Sequence, residues 1–100
     1  MLDRAAIHHA ARNLGLAHQA ALLTLRRGPL VRALRAPAFY SATRDRRIAL
    51  NTARSLASLG LARLYLVTDG LALCLTPRGD LFAAALAAVA HKIIPLASRA

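Results

Sequence analysis

The sequence predicts a mainly α-helical domain that carries one small two-stranded β-hairpin. Apolar residues recur at helical spacing along most of the chain, and glycines and prolines separate the helical segments. The exception is a pair of apolar runs joined by Asp69-Gly70, which favours a hairpin. One hundred residues fit a single domain, so we expect four to five helices and a hairpin within residues 1–100.

Three helical segments precede the middle of the chain. The first is predicted over residues 3–14 and ends at Gly15, and the second covers residues 18–27. A single helix bent at Gly15 is the alternative. Gly28-Pro29 ends the second segment, and a short helix over residues 30–36 follows.

A central helix over residues 43–59 is predicted from its two contrasting faces. Ser41 or Thr43 caps its start, and Gly60 ends it, with Leu61 folding back in a Schellman-type cap. Polar side chains recur at three- and four-residue steps and therefore share one face: Arg44, Arg47, Asn51, Arg54, Ser55 and Ser58. Alanine and leucine cover the other side, as in an amphipathic helix packed on a core.

The hairpin is predicted over residues 63–76 with Asp69-Gly70 as a type I′ turn. This turn pairs Thr68 with Leu71, Leu66 with Leu73 and Leu64 with Leu75. Those leucines share the face that packs on the helices. The other face is also apolar and carries Tyr65, Val67, Ala72 and Cys74. We therefore expect another element, a second subunit or a partner to contact it.

The last helix is predicted over residues 77–95. Thr76 is the N-cap, Pro77 occupies the first helical position, and Pro95 closes the helix. An alanine-rich seam lets a second helix approach closely. This helix is therefore either a dimer contact, with residues 3–14 as one candidate partner segment, or it packs within its own chain.

The charge points to a polyanionic partner. Fourteen basic and four acidic residues give a net charge of +10. Eight arginines and a single acid lie between Arg26 and Arg54. Arginine suits bidentate contacts with phosphate and guanine. Coding bias in a GC-rich genome accounts for arginine over lysine but not for the shortage of acids.

Other function classes find little support in the sequence. The single Cys74 excludes an intrachain disulfide and fits a cytoplasmic protein. We expect no signal peptide, and since there is no long apolar run we expect no membrane span. The four histidines and four acids form no catalytic or metal-ligand pattern. We expect no enzymatic activity and no cofactor, and a small-molecule ligand is left open.

Two motifs resemble a known family. Leu56-Ala-Ser-Leu-Gly-Leu-Ala62 leads into a strand, and Leu75-Thr-Pro-Arg-Gly79 leads into a helix. With the order of the elements, they resemble the winged helix-turn-helix domain of MarR-like bacterial transcriptional regulators over residues 20–86. The resemblance implies a recognition helix in the DNA major groove and a dimerisation helix after the wing. The tip Asp69-Gly70 is shorter than the family's wing and lacks its arginine.

The resulting hypothesis is a homodimeric, sequence-specific protein that binds double-stranded DNA and acts as a small transcriptional regulator. The helical DNA-binding core is residues 18–59, with helix 43–59 in the major groove. The groove-facing residues are Arg44, Arg47, Asn51, Arg54 and Ser55, and the phosphate contacts are Arg26, Arg27, Arg32, Arg35 and Arg63. The alternative is a winged-helix module for protein interaction or assembly, without direct DNA readout. A polar helix face that is simply exposed to solvent explains the polar side chains of helix 43–59 without any partner.

Overall fold

The computed structural model describes residues 4–99, with side chains described over residues 4–88. This part of the chain forms a small α/β domain of four helices and five strands, not a mainly helical winged helix with a two-stranded wing. The elements in chain order are α1 (Arg4–Arg12), α2 (Leu16–Arg26), β1 (Leu30–Ala33), β2 (Ala38–Tyr40), β3 (Arg47–Ala49), α3 (Leu50–Ser58), β4 (Ala62–Val67), β5 (Gly70–Leu75) and α4 (Pro77–Arg99).

The five strands form one antiparallel sheet in the order β3-β2-β1-β5-β4. β1 lies at its centre and pairs with β2 on one side and β5 on the other. Helices α2 and α3 pack on one face of this sheet, and α1 and α2 pack against α4. The core between the layers includes Leu22, Leu25, Leu30, Phe39, Ile48, Leu56, Leu61, Leu73 and Phe82.

The predicted short helix over residues 30–36 is wrong, because this segment forms β1 and a turn. Leu30 pairs with Leu73 and both are fully buried, so pairing with a distant strand outweighs the local helical spacing. Arg32 Nε donates to the carbonyl of Ala36 (2.7 Å), which closes the turn, and Arg35 adopts a positive φ of 66° within it. Residues 37–42, between the helices predicted over residues 30–36 and 43–59, contain β2.

The central helix is shorter than predicted, because residues 43–49 form a turn and β3. Ser41 and Thr43 do not cap a helix. Their hydroxyls donate to the Asp45 carboxylate instead (2.8 Å from Ser41), and this local bonding competes with helix formation. The helical hypothesis was therefore wrong for Arg44 and Arg47.

The predicted end of the central helix is confirmed. Gly60 has a φ of 76°, and its N–H donates to Ala57 O (3.0 Å). The N–H of Leu61 donates to Leu56 O (2.9 Å), which completes a Schellman motif and places the Leu61 side chain in the core.

The hairpin is confirmed, with a register two residues away from the prediction. Leu64 pairs with Leu73, and Thr68 and Asp69 form the turn. Gly70 belongs to β5, because a Cβ there would lie 2.0 Å from the carbonyl oxygen of Arg32. A two-residue slip keeps each side chain on its predicted face. Leu66, however, is exposed and does not pack on the helices.

The two terminal segments differ partly from the predictions. The prediction of two helices separated at Gly15 is confirmed by α1 and α2, and the alternative of one bent helix is wrong. α4 starts as predicted, with Gly79 N–H donating to the Thr76 hydroxyl (3.0 Å), but it continues past Pro95 to Arg99. The predicted dimer seam on α4 contacts α1 and α2 of the same chain. No described helix is long and apolar enough to cross a membrane.

Candidate functional site

One face of the sheet is left uncovered by the described helices. Along each strand, alternate residues point to opposite faces. Leu30, Phe39 and Leu73 belong to the helix-covered core, whereas Val31 and Tyr65, on the opposite face of the sheet, are 46% and 42% exposed. We call this uncovered side the open face. Its central row contains one residue from each strand, in sheet order Arg47, Tyr40, Val31, Ala72 and Tyr65.

The middle of the open face carries smaller side chains than the two aromatic positions on either side of it. Val31 and Ala72 occupy the two middle positions of the row, with Tyr40 and Tyr65 on either side. Three strand spacings of about 4.8 Å separate the two tyrosines, which puts their backbones about 14 Å apart. This arrangement gives a row with a tyrosine on either side of its centre, where Val31 is exposed and Ala72 is buried.

Arginines lie beside both rings. The guanidinium carbon of Arg44 lies 4.8 Å from the centroid of the Tyr40 ring, a cation–π contact. Arg47 is paired with Tyr40 on the neighbouring strand. Arg63 precedes Tyr65 by two residues on β4 and therefore lies on the same face. Both aromatic positions thus have a positive charge within reach.

The turn that carries Arg44 is fixed by its own hydrogen bonds. Ser41 N–H donates to Arg46 O (3.1 Å), and the Ser41 hydroxyl donates to Asp45. Arg46 Nη1 donates to Thr24 O at the end of α2 (3.0 Å), which attaches the turn to the helical layer. The hydrogen bonds from Thr43 and then Ser41 lower the pKa of Asp45. Asp45 is therefore ionised at neutral pH and accepts the hydrogen bonds that hold the turn.

Arg44 adopts a left-handed backbone conformation with a φ of 62°. Such a conformation costs a non-glycine residue about 1 kcal/mol or more, and strained positions cluster at functional sites. Arg35 has the same feature, with a φ of 66° at the opposite end of the sheet. Arg35 and Arg44 therefore share the same backbone conformation and differ in where they lie on the sheet.

Positive charge is concentrated at the end of the sheet where β1 and β4 begin, which we call the basic end. The elements that meet there carry Arg26, Arg27, Arg44, Arg46, Arg47, Arg63 and Arg78. Only Asp45 and Asp80 oppose them on those elements. At the other end, the turn after β1 carries Arg35 and the hairpin turn carries Asp69. The central row of the open face is next to the basic end.

The fold divides the residues predicted to bind DNA into separate groups. Arg26, Arg27, Arg44, Arg47 and Arg63 belong to the basic end. Asn51, Arg54 and Ser55 lie together on the solvent-exposed side of α3, while Ala53 and Leu56 of that helix are buried. The Arg32 side chain is bonded to the carbonyl of Ala36, and Arg35 lies at the end of the sheet opposite the basic end.

Tyr40 and Tyr65 were not among the site residues predicted from the sequence. Tyr65 was assigned to an apolar wing face, and Tyr40 to a connection between helices. The pairing of β2 with β1 and β1 with β5 joins their rows, and no local pattern reveals it. The available sequence signal for these site residues was that tyrosines make up two of the chain's four aromatic residues.

Away from the open face, a concave region lies between α1 and α4. It has a volume of about 570 Å³ and is lined by Arg4, Ile7, His8, Leu81, Ala84, Ala85 and Ala88. Its polar groups are few, and no set of three potential metal ligands occurs among the described residues. The open face therefore offers the richer combination of charge, aromatic surface and exposure.

No protein-family model matches this chain, and no curated protein or solved structure matches it either.

Proposed function

We propose that this protein binds single-stranded nucleic acid on its open face. Bases stack on Tyr65 and on the Arg44–Tyr40 pair, and the flanking arginines Arg47 and Arg63 contact phosphates. The observation that carries the proposal is the row of paired residues that aligns both tyrosines across four strands beside the basic end.

Charge and aromatic surface together favour nucleic acid as the partner. A net charge of +10 supplies the sequence-independent attraction to phosphate. Exposed aromatic rings bind unstacked bases, and an arginine guanidinium plane is itself a stacking surface. The Arg44–Tyr40 pair supports this mode because it places both kinds of surface at one position.

The dimensions of the open face favour a single strand over a duplex groove. The outer strands of a five-stranded sheet lie about 19 Å apart, whereas the DNA major groove is about 12 Å wide. The helix that the sequence predicted for the major groove, residues 43–59, forms only over Leu50–Ser58 and does not include Arg44 and Arg47. Duplex binding through Asn51, Arg54 and Ser55 of the shorter α3 is the competing outcome of the test.

The sharpest test uses the two left-handed arginines. Arg44→Gly and Arg35→Gly each remove one positive charge and relieve one positive-φ backbone. Both are expected to leave stability unchanged or raise it by up to about 1 kcal/mol. Only Arg44→Gly is expected to weaken binding to a labelled single-stranded oligonucleotide, by about fivefold or more in fluorescence anisotropy.

Substitutions of the tyrosines give a second test of the proposed site. Tyr65→Leu is expected to lower affinity about tenfold, because each base–aromatic stack contributes about 1–3 kcal/mol, while Tyr65→Phe keeps the ring and the affinity. Affinity should also fall steeply with salt. Equal effects of Arg44→Gly and Arg35→Gly would reject the proposed site. Preference for duplex, lost in Asn51→Ala/Arg54→Ala, would instead assign binding to α3.

A further inference from the structure

The two edges of the sheet are built differently. β3 has three residues and directly follows the charged turn that holds Arg44, Asp45 and Arg46. β4 has six residues and pairs only with β5. The backbone groups on its outer side are available to pair with another strand, as on any exposed sheet edge.

β4 lacks the features that usually protect an edge strand. Its sequence Ala-Arg-Leu-Tyr-Leu-Val contains no lysine, proline or acidic residue, and Arg63 is its single charge. Leu66 is 84% exposed, and Tyr65 and Val67 are exposed on the opposite face. The edge therefore presents apolar side chains on both faces together with unpaired backbone groups.

We propose that two copies of the chain associate through antiparallel pairing of their β4 strands. The twofold axis passes through Tyr65, so Leu64 of each copy lies opposite Leu66 of the other. In this register Arg63 lies opposite Val67 and not opposite its own copy. The two sheets become one ten-stranded sheet, and both open faces lie on the same side.

The distribution of charge favours a second copy at this edge. Arg44, Arg46 and Arg47 lie in and beside β3 at the opposite edge of the sheet, with Arg46 bonded to Thr24 of α2, whereas Arg63 is the single charge on β4. Pairing along β4 keeps these charges apart. The proposal rests on strand pairing and is independent of nucleic-acid binding.

The expected dimer is weak. Pairing of about five residues per copy buries less surface than a standard interface of about 1,600 Å², so dissociation in the micromolar range or above is expected. Sedimentation equilibrium of the full chain without nucleic acid, from micromolar to millimolar concentration, measures it directly.

Two exposed leucines give a matched pair of variants. Leu66→Lys places a charge on the pairing edge, whereas Leu34→Lys places it in the turn after β1, where Leu34 is 77% exposed. Leu66→Lys is expected to raise the dimer dissociation constant at least about tenfold, and Leu34→Lys to leave it unchanged. A chain that is monomeric at all concentrations, or a dimer insensitive to Leu66→Lys, contradicts the proposal.

Cross-linking tests the register. In a Cys74→Ala background, Tyr65→Cys lies next to its own copy across the twofold axis and is expected to form an intermolecular disulfide under mild oxidation. Val67→Cys lies opposite Arg63 and is expected not to cross-link. The reverse result would overturn the register, and equal cross-linking of both variants would indicate random collision.

Discussion

The two faces of the sheet share the same five strands but have different surroundings. On one face, Leu30, Phe39 and Leu73 are completely buried beneath the helices. On the other, Val31 and Tyr65 remain substantially exposed although they are also apolar. Alternation along a strand separates the two sets, but hydrophobicity alone does not say which set is covered. An apolar surface left open beside concentrated positive charge is typical of an interaction site.

The largest expected difference between the faces concerns their contribution to stability. Leu73→Ala removes a fully buried side chain and is expected to lower the free energy of unfolding by about 2–5 kcal/mol. Val31→Ala, on the paired strand but on the open face, is expected to cost less than about 1 kcal/mol. Urea unfolding of both variants measures the difference. Equal losses would mean that the open face is covered in solution.

The adjacent residues Arg46 and Arg47 are expected to differ by an intermediate amount in their contributions to stability. Arg46→Ala removes the hydrogen bond to Thr24 O and is expected to destabilise the domain by about 1–3 kcal/mol. Arg47→Ala removes an exposed charge and is expected to change stability by less than about 0.5 kcal/mol, while weakening oligonucleotide binding. The reverse pattern in thermal unfolding would show that the turn is not attached through Arg46.

The smallest expected effect is a pH dependence of the turn beside the open face. The folded-state pKa of Asp45 is lowered by Thr43 and Ser41, so its stabilising contribution is complete above the unfolded pKa of about 3.9. The contribution is lost as pH falls through the lower folded-state pKa. Asp45→Asn should remove this part of the acid sensitivity, measured as the urea midpoint between about pH 6 and pH 2. Identical pH profiles for the two proteins would exclude the anchoring role.

The sequence predicted best the features that are fixed by local chemistry. The Schellman motif at Gly60, the Thr76 cap and the existence of the hairpin depend on neighbouring residues and were all confirmed. The hairpin register was missed because Gly70 is needed for close approach to β1, a contact between distant segments.

The region from β1 to β3 was misassigned for a related reason. Its alanine, leucine and arginine residues have good intrinsic helix propensity, and its apolar spacing fits a short helix as well as a strand. The strands form because β1 pairs with β5, about forty residues later in the chain, and buries Leu30 against Leu73. The shift from a mainly helical domain to a five-stranded sheet follows from this pairing.

The sequence by itself determined the high positive charge, the end of α3 at Gly60, the start of α4 at Thr76 and the two-faced apolar pattern of the hairpin. Composition and short-range hydrogen bonding are sufficient for these properties. Only the tertiary structure decided that β1 joins the hairpin to β2 and β3, and so aligned Tyr40 with Tyr65 beside the basic end. Strand pairing acts between distant residues and needs a partner that local sequence does not specify, which is why the candidate site emerged only from the fold.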